Sequence, residues 1–245
     1  MKFSLFLNTR QRLALLANLL KSIDRTFSYN NDIEILLGID DDDFETQSFL
    51  DNHLRTILNN VPICDVIDYY IDSRPHNLHV KMNSLAALTK GDLLFVLNDD
   101  VEFVTSDWDI LIVNDLEKRA TEKDNIYYLG VHDTSIDKAP DQSYASFPIL
   151  TRAAYEALGY FMSEKFVGLG GDVHLWRIFN SVGRILDNSE VVLDHVRHNT
   201  FKKVISPDLV ALQMRENTYA NRVDDWNVDI SEEVGKINAK ITSRI

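Results

Sequence analysis

The sequence is poor in several residue types that build specialised sites. A single cysteine, Cys64, stands among 245 residues, which excludes an intramolecular disulfide and any multi-cysteine zinc site. Five prolines and nine glycines are too few for collagen-like or low-complexity segments, and no internal repeat is present. No apolar run approaches the ~20 residues needed to span a bilayer, and the opening Met1–Leu7 is too short for a signal peptide. The chain therefore reads as a soluble, cytoplasmic protein without a transmembrane segment. Positive charge is also scarce, with 25 Lys and Arg against 38 Asp and Glu, a net −13. That balance repels a polyphosphate backbone over most of the surface and argues against nucleic-acid binding. A small anionic ligand held by a metal or a local basic patch remains compatible with it.

What is present is ordinary globular composition, 45% apolar and 26% charged. A chain of this length buries about 70–75% of its unfolded surface, enough for one large domain. Apolar runs at Lys2–Leu7, Ile33–Ile39, Val66–Ile71, Leu93–Leu97 and Ile126–Val131 predict five strands. Helical spacing falls between them, first at Leu13, Leu16, Ala17, Leu20 and Ile23, then at Phe49, Leu50, Leu54, Ile57 and Leu58. Further helices are predicted over 77–88, ended by Gly91, and over 106–122. This alternation implies βαβ units and a mostly parallel sheet. After it the pattern loosens: a strand at Ser143–Thr151, helices at Ala153–Leu158 and Val173–Val182, and a strand at Glu190–Val196. The predicted class is α/β: one domain with a Rossmann-like, mostly parallel sheet flanked by helices and a mixed second half. Residues 207–245 read as a C-terminal helical extension with Leu209, Leu212 and Met214 partly apolar. The last 45 residues hold seven acids and seven bases, so residues 1–200 carry the whole net charge.

Ligands of open α/β sheets bind beyond the carboxyl ends of the strands. Three strand ends here finish in groups suited to a nucleotide: Thr9-Arg10, Asp40-Asp41-Asp42-Asp43 and Asn98-Asp99-Asp100. Two carboxylates directly after a buried strand place hard oxygen ligands where Mg²⁺ or Mn²⁺ can sit, with phosphate and water completing the shell. The plainer alternative is that such acids form turns and helix caps, with Asp43 capping the next helix.

The segment Gly91-Asp92-Leu93-Leu94-Phe95-Val96-Leu97-Asn98-Asp99-Asp100 resembles the metal-binding Asp-x-Asp region of a family 2-type glycosyltransferase of the GT-A fold. Ser4–Arg10 resembles the opening strand and nucleotide-contacting turn, and Ile39-Asp40-Asp41 the acidic end of the second strand. Asn77–Gly91 resembles the helix before the signature, and Asp107-Trp108-Asp109 the tryptophan after it. Phe147–Arg152 through Gly159-Tyr160-Phe161 resembles the acceptor-side strand and helix. Gly170-Gly171-Asp172 resembles the Glu-Asp helix start that carries the catalytic base. Two departures stand out: Asn98 replaces the signature's first acid, and Gly171 stands where the family often has Glu.

The resemblance implies a metal-dependent transfer of a sugar from a nucleoside-diphosphate sugar to a carbohydrate or other hydroxyl acceptor, with inversion. It implies a glycosyltransferase domain over residues 1–206, with a nucleotide-binding half of about 1–104 and an acceptor half of about 105–206. Asp172 would be the base that takes the acceptor proton, and Asp100 and His195 would hold Mn²⁺ or Mg²⁺, with His198 the competing histidine. Thr9, Arg10, Asp40, Asp41, Asn98 and Asp99 would contact the nucleotide. Arg197 and Lys202, with Lys203, would close over the diphosphate. Lys81 reads as a surface lysine within reach of a phosphate, and His132-Asp133 as a pair near the sugar or acceptor. Trp108 and Trp176 read as core, and His76 and His79 as weak zinc candidates lacking a third ligand. Two alternatives accompany this reading. A nucleotidyltransferase would want a glycine-rich phosphate loop, which Asn8–Arg12 lacks. A non-catalytic nucleotide- or carbohydrate-binding module of the same fold is the other.

Overall fold

The structure, a computed structural model, describes residues 1–58, 67–72, 78–134, 145–166, 170–195 and 228–243. The first half alternates as predicted: β1 (Lys2–Thr9), α1 (Leu13–Thr26), β2 (Asp32–Asp40), α2 (Phe44–Ile57), β3 (Ile67–Asp72), α3 (Leu78–Leu88) and β4 (Leu93–Val96). The second half holds β5 (Val101–Phe103), α4 (Trp108–Arg119), β6 (Tyr128–Asp133), β7 (Ile149–Thr151), α5 (Arg152–Leu158), α6 (Gly171–Ser181) and β8 (Ile185–His195). The last described element is α7 (Ser231–Ser243). The strands form one sheet in the order β3-β2-β1-β4-β7-β6-β8-β5. Strands β1 to β4 run parallel, whereas β7 pairs antiparallel with both β4 and β6. β8 returns parallel to β6, and β5 pairs antiparallel with β8. Among the described residues no helix is long and apolar enough to cross a membrane.

Side chains alternate across a strand, so a strand covered on both faces needs apolar residues at every position. In β1 this sends Phe3, Leu5 and Leu7 to one face, against α1, α2 and α4, and Phe6 to the other. The first face centres on Trp108, which is fully buried and packs edge-on against Phe3 at 5.2 Å and tilted against Phe103 at 4.6 Å. On the second face Phe6 meets Phe161 edge-on at 4.9 Å. The C-terminal extension closes that face, with Ile237 of α7 buried and Val234 and Ile241 packed beside it. Trp108 is thus core, as expected, and the partly exposed Trp176 packs on the second face.

Several elements differ from expectation, β6 by a shift to Tyr128–Asp133 and α4 by a narrowing to Trp108–Arg119. The strand predicted over Ser143–Thr151 is limited, in its described part, to Ile149–Thr151, directly after Pro148, which has no N–H to give a ladder. β8 begins at Ile185 rather than Glu190. β5 was not predicted, since three residues carry no readable period. Its register sets Val101 opposite His195 and so brings Asp100 to the end of β8. Between β6 and β8 the ladder steps from Val131↔Asn188 to His132↔Val192, one residue on one strand against four on the other. The odd difference changes which face of β8 accompanies β6. It pairs Asp133 with Leu193 and puts His195, two residues on, at the same face.

Candidate active site

Asp99 and Asp100 follow β4 as the sequence implied, and both are buried. Asp99 Oδ2 accepts a hydrogen bond from Thr9 Oγ1 at 2.7 Å, from the end of β1. Arg12, in the turn before α1, spans the two acids: Nη1 lies 2.9 Å from Asp99 Oδ1 and Nη2 donates to Asp100 Oδ2 at 2.7 Å. Burial, and to a lesser degree the charge of Asp100, raises the Asp99 pKa to about 7 despite Arg12. For Asp100 burial also acts upward, but His195 and Arg12 together outweigh it and hold the carboxyl near 2. Arg12 is the residue that sequence reasoning passed over. Asn98 is half-buried beside them.

His195 closes the other side. Its Nε2 faces Asp100 Oδ1 at 3.5 Å, an ionic contact too long for a good hydrogen bond, so that oxygen is buried with no hydrogen-bond partner among the described residues. Its Nδ1 lies 3.3 Å from Asp133 Oδ2, and the edge of Phe147 packs against the ring at 5.1 Å. Burial lowers the histidine's pKa, yet the two carboxylates prevail and lift it to about 9. The described residues contain no group of three or more His, Cys, Asp or Glu that would cage a metal alone. Two convergent donors with one orphaned oxygen still fit Mg²⁺ or Mn²⁺, which keep positions for phosphate and water.

At the end of β2 the aspartate run divides by role. Asp40 is buried and pairs with Arg10 Nε at 3.1 Å and with Lys81 Nζ of α3. Lys81 is thus not the surface lysine its sequence context suggested, having 11% side-chain exposure. Arg10 also reaches Asp42 Oδ2 at 2.6 Å. Asp43 caps α2, accepting from Thr46 N–H at 3.3 Å and from Gln11 N–H at 2.7 Å. Asp41 is exposed.

Asp172 sits in the first turn of α6, its Oδ1 accepting from Val173 N–H at 2.8 Å. Burial dominates its titration and, with the charge of Asp133, raises its pKa to about 6, although its backbone bonds pull down. The neighbouring Gly171 has a steric cause. A Cβ there would meet His79 Cε1 at 2.5 Å, because the buried His79 ring lies against the helix start with Nδ1 2.8 Å from Ser163 O. The ring fills the space where the resemblance expects a glutamate. It also explains why His79 is a poor zinc candidate. Arg197, His198, Lys202, Lys203 and His76, together with Leu209, Leu212 and Met214, lie outside the described residues. His132 is half-buried, and Asp133 almost wholly so.

No protein-family model matches the chain, and no curated protein sequence matches it. Solved structures do. Residues 1–349 of S. aureus TarS match with a TM-score of 0.60 at 13% identity, over 100% of this chain and 71% of that one. GalNAc-T7 bound to UDP, GalNAc and Mn²⁺ matches with a TM-score of 0.62 at 13% identity, over 79% and 43%. The mannosyltransferase PcManGT of Pyrobaculum calidifontis, in complex with GDP-Man and Mn²⁺, matches with a TM-score of 0.58 at 12% identity, over 98% and 74%. Against a longer TarS chain, the present one spans 38% of the length. These are GT-A glycosyltransferases, and the chain shares their fold.

Proposed function

We propose that the protein is a metal-dependent glycosyltransferase that moves a sugar from a nucleoside-diphosphate sugar to a hydroxyl acceptor with inversion. The observation that carries this reading is the buried Asp100 Oδ1, with no hydrogen-bond partner among the described residues, facing His195 Nε2 at the mouth of a GT-A sheet. A divalent ion held there by Asp100 and His195 would neutralise charge growing on the departing diphosphate. Structures of the same fold carry UDP, UDP-GlcNAc or GDP-Man, two of them with Mn²⁺, which supports a uridine or guanosine donor.

The chain's own residues do the rest. Thr9, Arg10 and Asn98 contact the nucleotide, Asp99 its ribose or the metal, and Asp40 and Asp41 the base or ribose, with Lys81 held beside them by Asp40. The resemblance assigns Arg197 and Lys202, which lie outside the described residues, to the charge of the leaving diphosphate. Asp172, ionised at neutral pH but more basic than an exposed aspartate, takes the acceptor proton as that oxygen bonds to C1. The C1–phosphate oxygen bond breaks on the opposite face and the nucleoside diphosphate leaves with the bonding pair. Residues 1–206 form the catalytic unit, and residues 207–245 extend it, α7 bracing α5 and α6.

Incubation with UDP- and GDP-sugars, Mn²⁺ and a panel of hydroxyl acceptors tests the reading. Metal-dependent transfer that disappears in Asp100→Ala supports it. Equal turnover by wild type and Asp100→Ala, or binding of nucleotide without any transfer or donor hydrolysis, contradicts it.

A further inference from the structure

We infer that Asp133 is the positioning residue of this centre, holding His195 so that Nε2 rather than Nδ1 is presented to Asp100. The inference rests on the metal reading above and adds a role that neither the fold nor the signature supplies. Asp133 is 1% exposed at the end of β6. Its Oδ2 lies 3.3 Å from His195 Nδ1, while the opposite nitrogen faces Asp100 Oδ1 at 3.5 Å. The carboxylate, the imidazole and the orphaned oxygen thus form one line across β6, β8 and the β4–β5 turn.

To hold a metal the imidazole must be neutral, and it then has one lone pair to give, on the nitrogen that carries no proton. A buried carboxylate beside Nδ1 assigns the proton to that nitrogen and frees Nε2, the arrangement that outer carboxylates impose on metal-binding histidines. The backbone is built to the same end. The step in the β6–β8 ladder brings Asp133 and His195 to one face. Thr134 then laces the two strand ends together: its N–H donates to Leu193 O at 3.1 Å, and its hydroxyl donates to Asp194 Oδ1 at 2.8 Å while accepting from His195 N–H at 3.3 Å. Phe147 packs on the same ring in a T-shaped contact at 5.1 Å.

The test titrates the full chain with Mn²⁺ alone, reading affinity from the free-ion electron paramagnetic resonance signal. Nitrogen modulation of the bound ion reports a directly coordinated imidazole. Wild type is expected to show that modulation and His195→Gln to lose it. Asp133→Leu should weaken Mn²⁺ binding about 10- to 100-fold and lose the modulation, while Asp133→Asn, which keeps an acceptor for Nδ1–H, should retain part of both. Circular dichroism confirms folding, and the asparagine variant carries the test if the leucine variant does not fold. Wild-type affinity and nitrogen signal in both Asp133 variants would overturn the inference. Mn²⁺ binding that is equal in wild type and Asp100→Ala would instead sink the metal reading, and this inference with it.

Discussion

Arg12 Nη2 lies 2.7 Å from Asp100 Oδ2, and this contact leaves Oδ1 as the only carboxylate oxygen of Asp100 turned toward His195. The same guanidinium lies 2.9 Å from Asp99 Oδ1, so one cation bridges both acids. Removing it leaves a buried acid pair with no bridging cation, and Asp99 must take up a proton to remain buried. Arg12→Ala should lose about 3 kcal/mol of stability at neutral pH, and Mn²⁺ should raise its melting temperature more than it raises that of wild type. Thermal scans with and without Mn²⁺ check both effects. Unchanged stability would show that Arg12 does not hold the pair.

Gly171 and His79 form a second coupled pair. Restoring a side chain by Gly171→Ala or Gly171→Glu drives it into the His79 ring and should destabilise the fold by about 1–3 kcal/mol. His79→Ala in the same chain should recover part of that loss, giving a measurable coupling in a double-mutant cycle. Additive losses would contradict the steric account.

Asp172 must be ionised to accept a proton. With its pKa raised to about 6, the kcat/KM profile should fall on the acid side near that value and level off above it. Asp172→Asn should lower kcat by about 10²- to 10⁴-fold and remove that acid limb. An acid limb that survives in Asp172→Asn would assign the base elsewhere.

His174, two residues further along α6, predicts the pH dependence of stability. It is 1% exposed, and among the described residues neither ring nitrogen has a hydrogen-bond partner. Burial lowers its pKa to about 4, helped by Lys165, Arg177 and His79 and opposed by Glu233. Above pH 6.5 the ring is neutral in both folded and unfolded chains, so its contribution is fully present. As pH falls from 6.5 toward 4 only the unfolded chain takes up the proton, and stability drops by up to about 1.4 kcal/mol per pH unit. Denaturant titrations across this range should show a shallower slope in His174→Leu than in wild type.

Much of this architecture is legible in the chain because it is local. Apolar runs such as Leu93–Val96 and the helical spacing from Leu13 to Ile23 are written in consecutive residues, and each yields an observed element. The acids after β4 and the cap at Asp43 are equally local. What escaped depends on partners distant in sequence. β5 exists because β8 offers it a ladder, and Arg12 matters because a turn near the N-terminus lies over Asp99 and Asp100. Lys81 looks solvated in its own helix, and only the approach of α3 to β2 pairs it with Asp40. Asp133 reads in sequence as half of a pair near the sugar or acceptor, and only the register step shows that it lies beside His195. The absence at Gly171 cannot be understood without a histidine on another helix.

The central claim is that Asp100 and His195 hold a divalent ion at the mouth of the sheet. Anomalous diffraction from crystals soaked with Mn²⁺ and either UDP or GDP tests it most directly. The account predicts one manganese peak within bonding distance of Asp100 Oδ1 and His195 Nε2, with the diphosphate completing its shell. Nucleotide density at the sheet mouth without manganese at those two atoms, or manganese bound elsewhere, would contradict it.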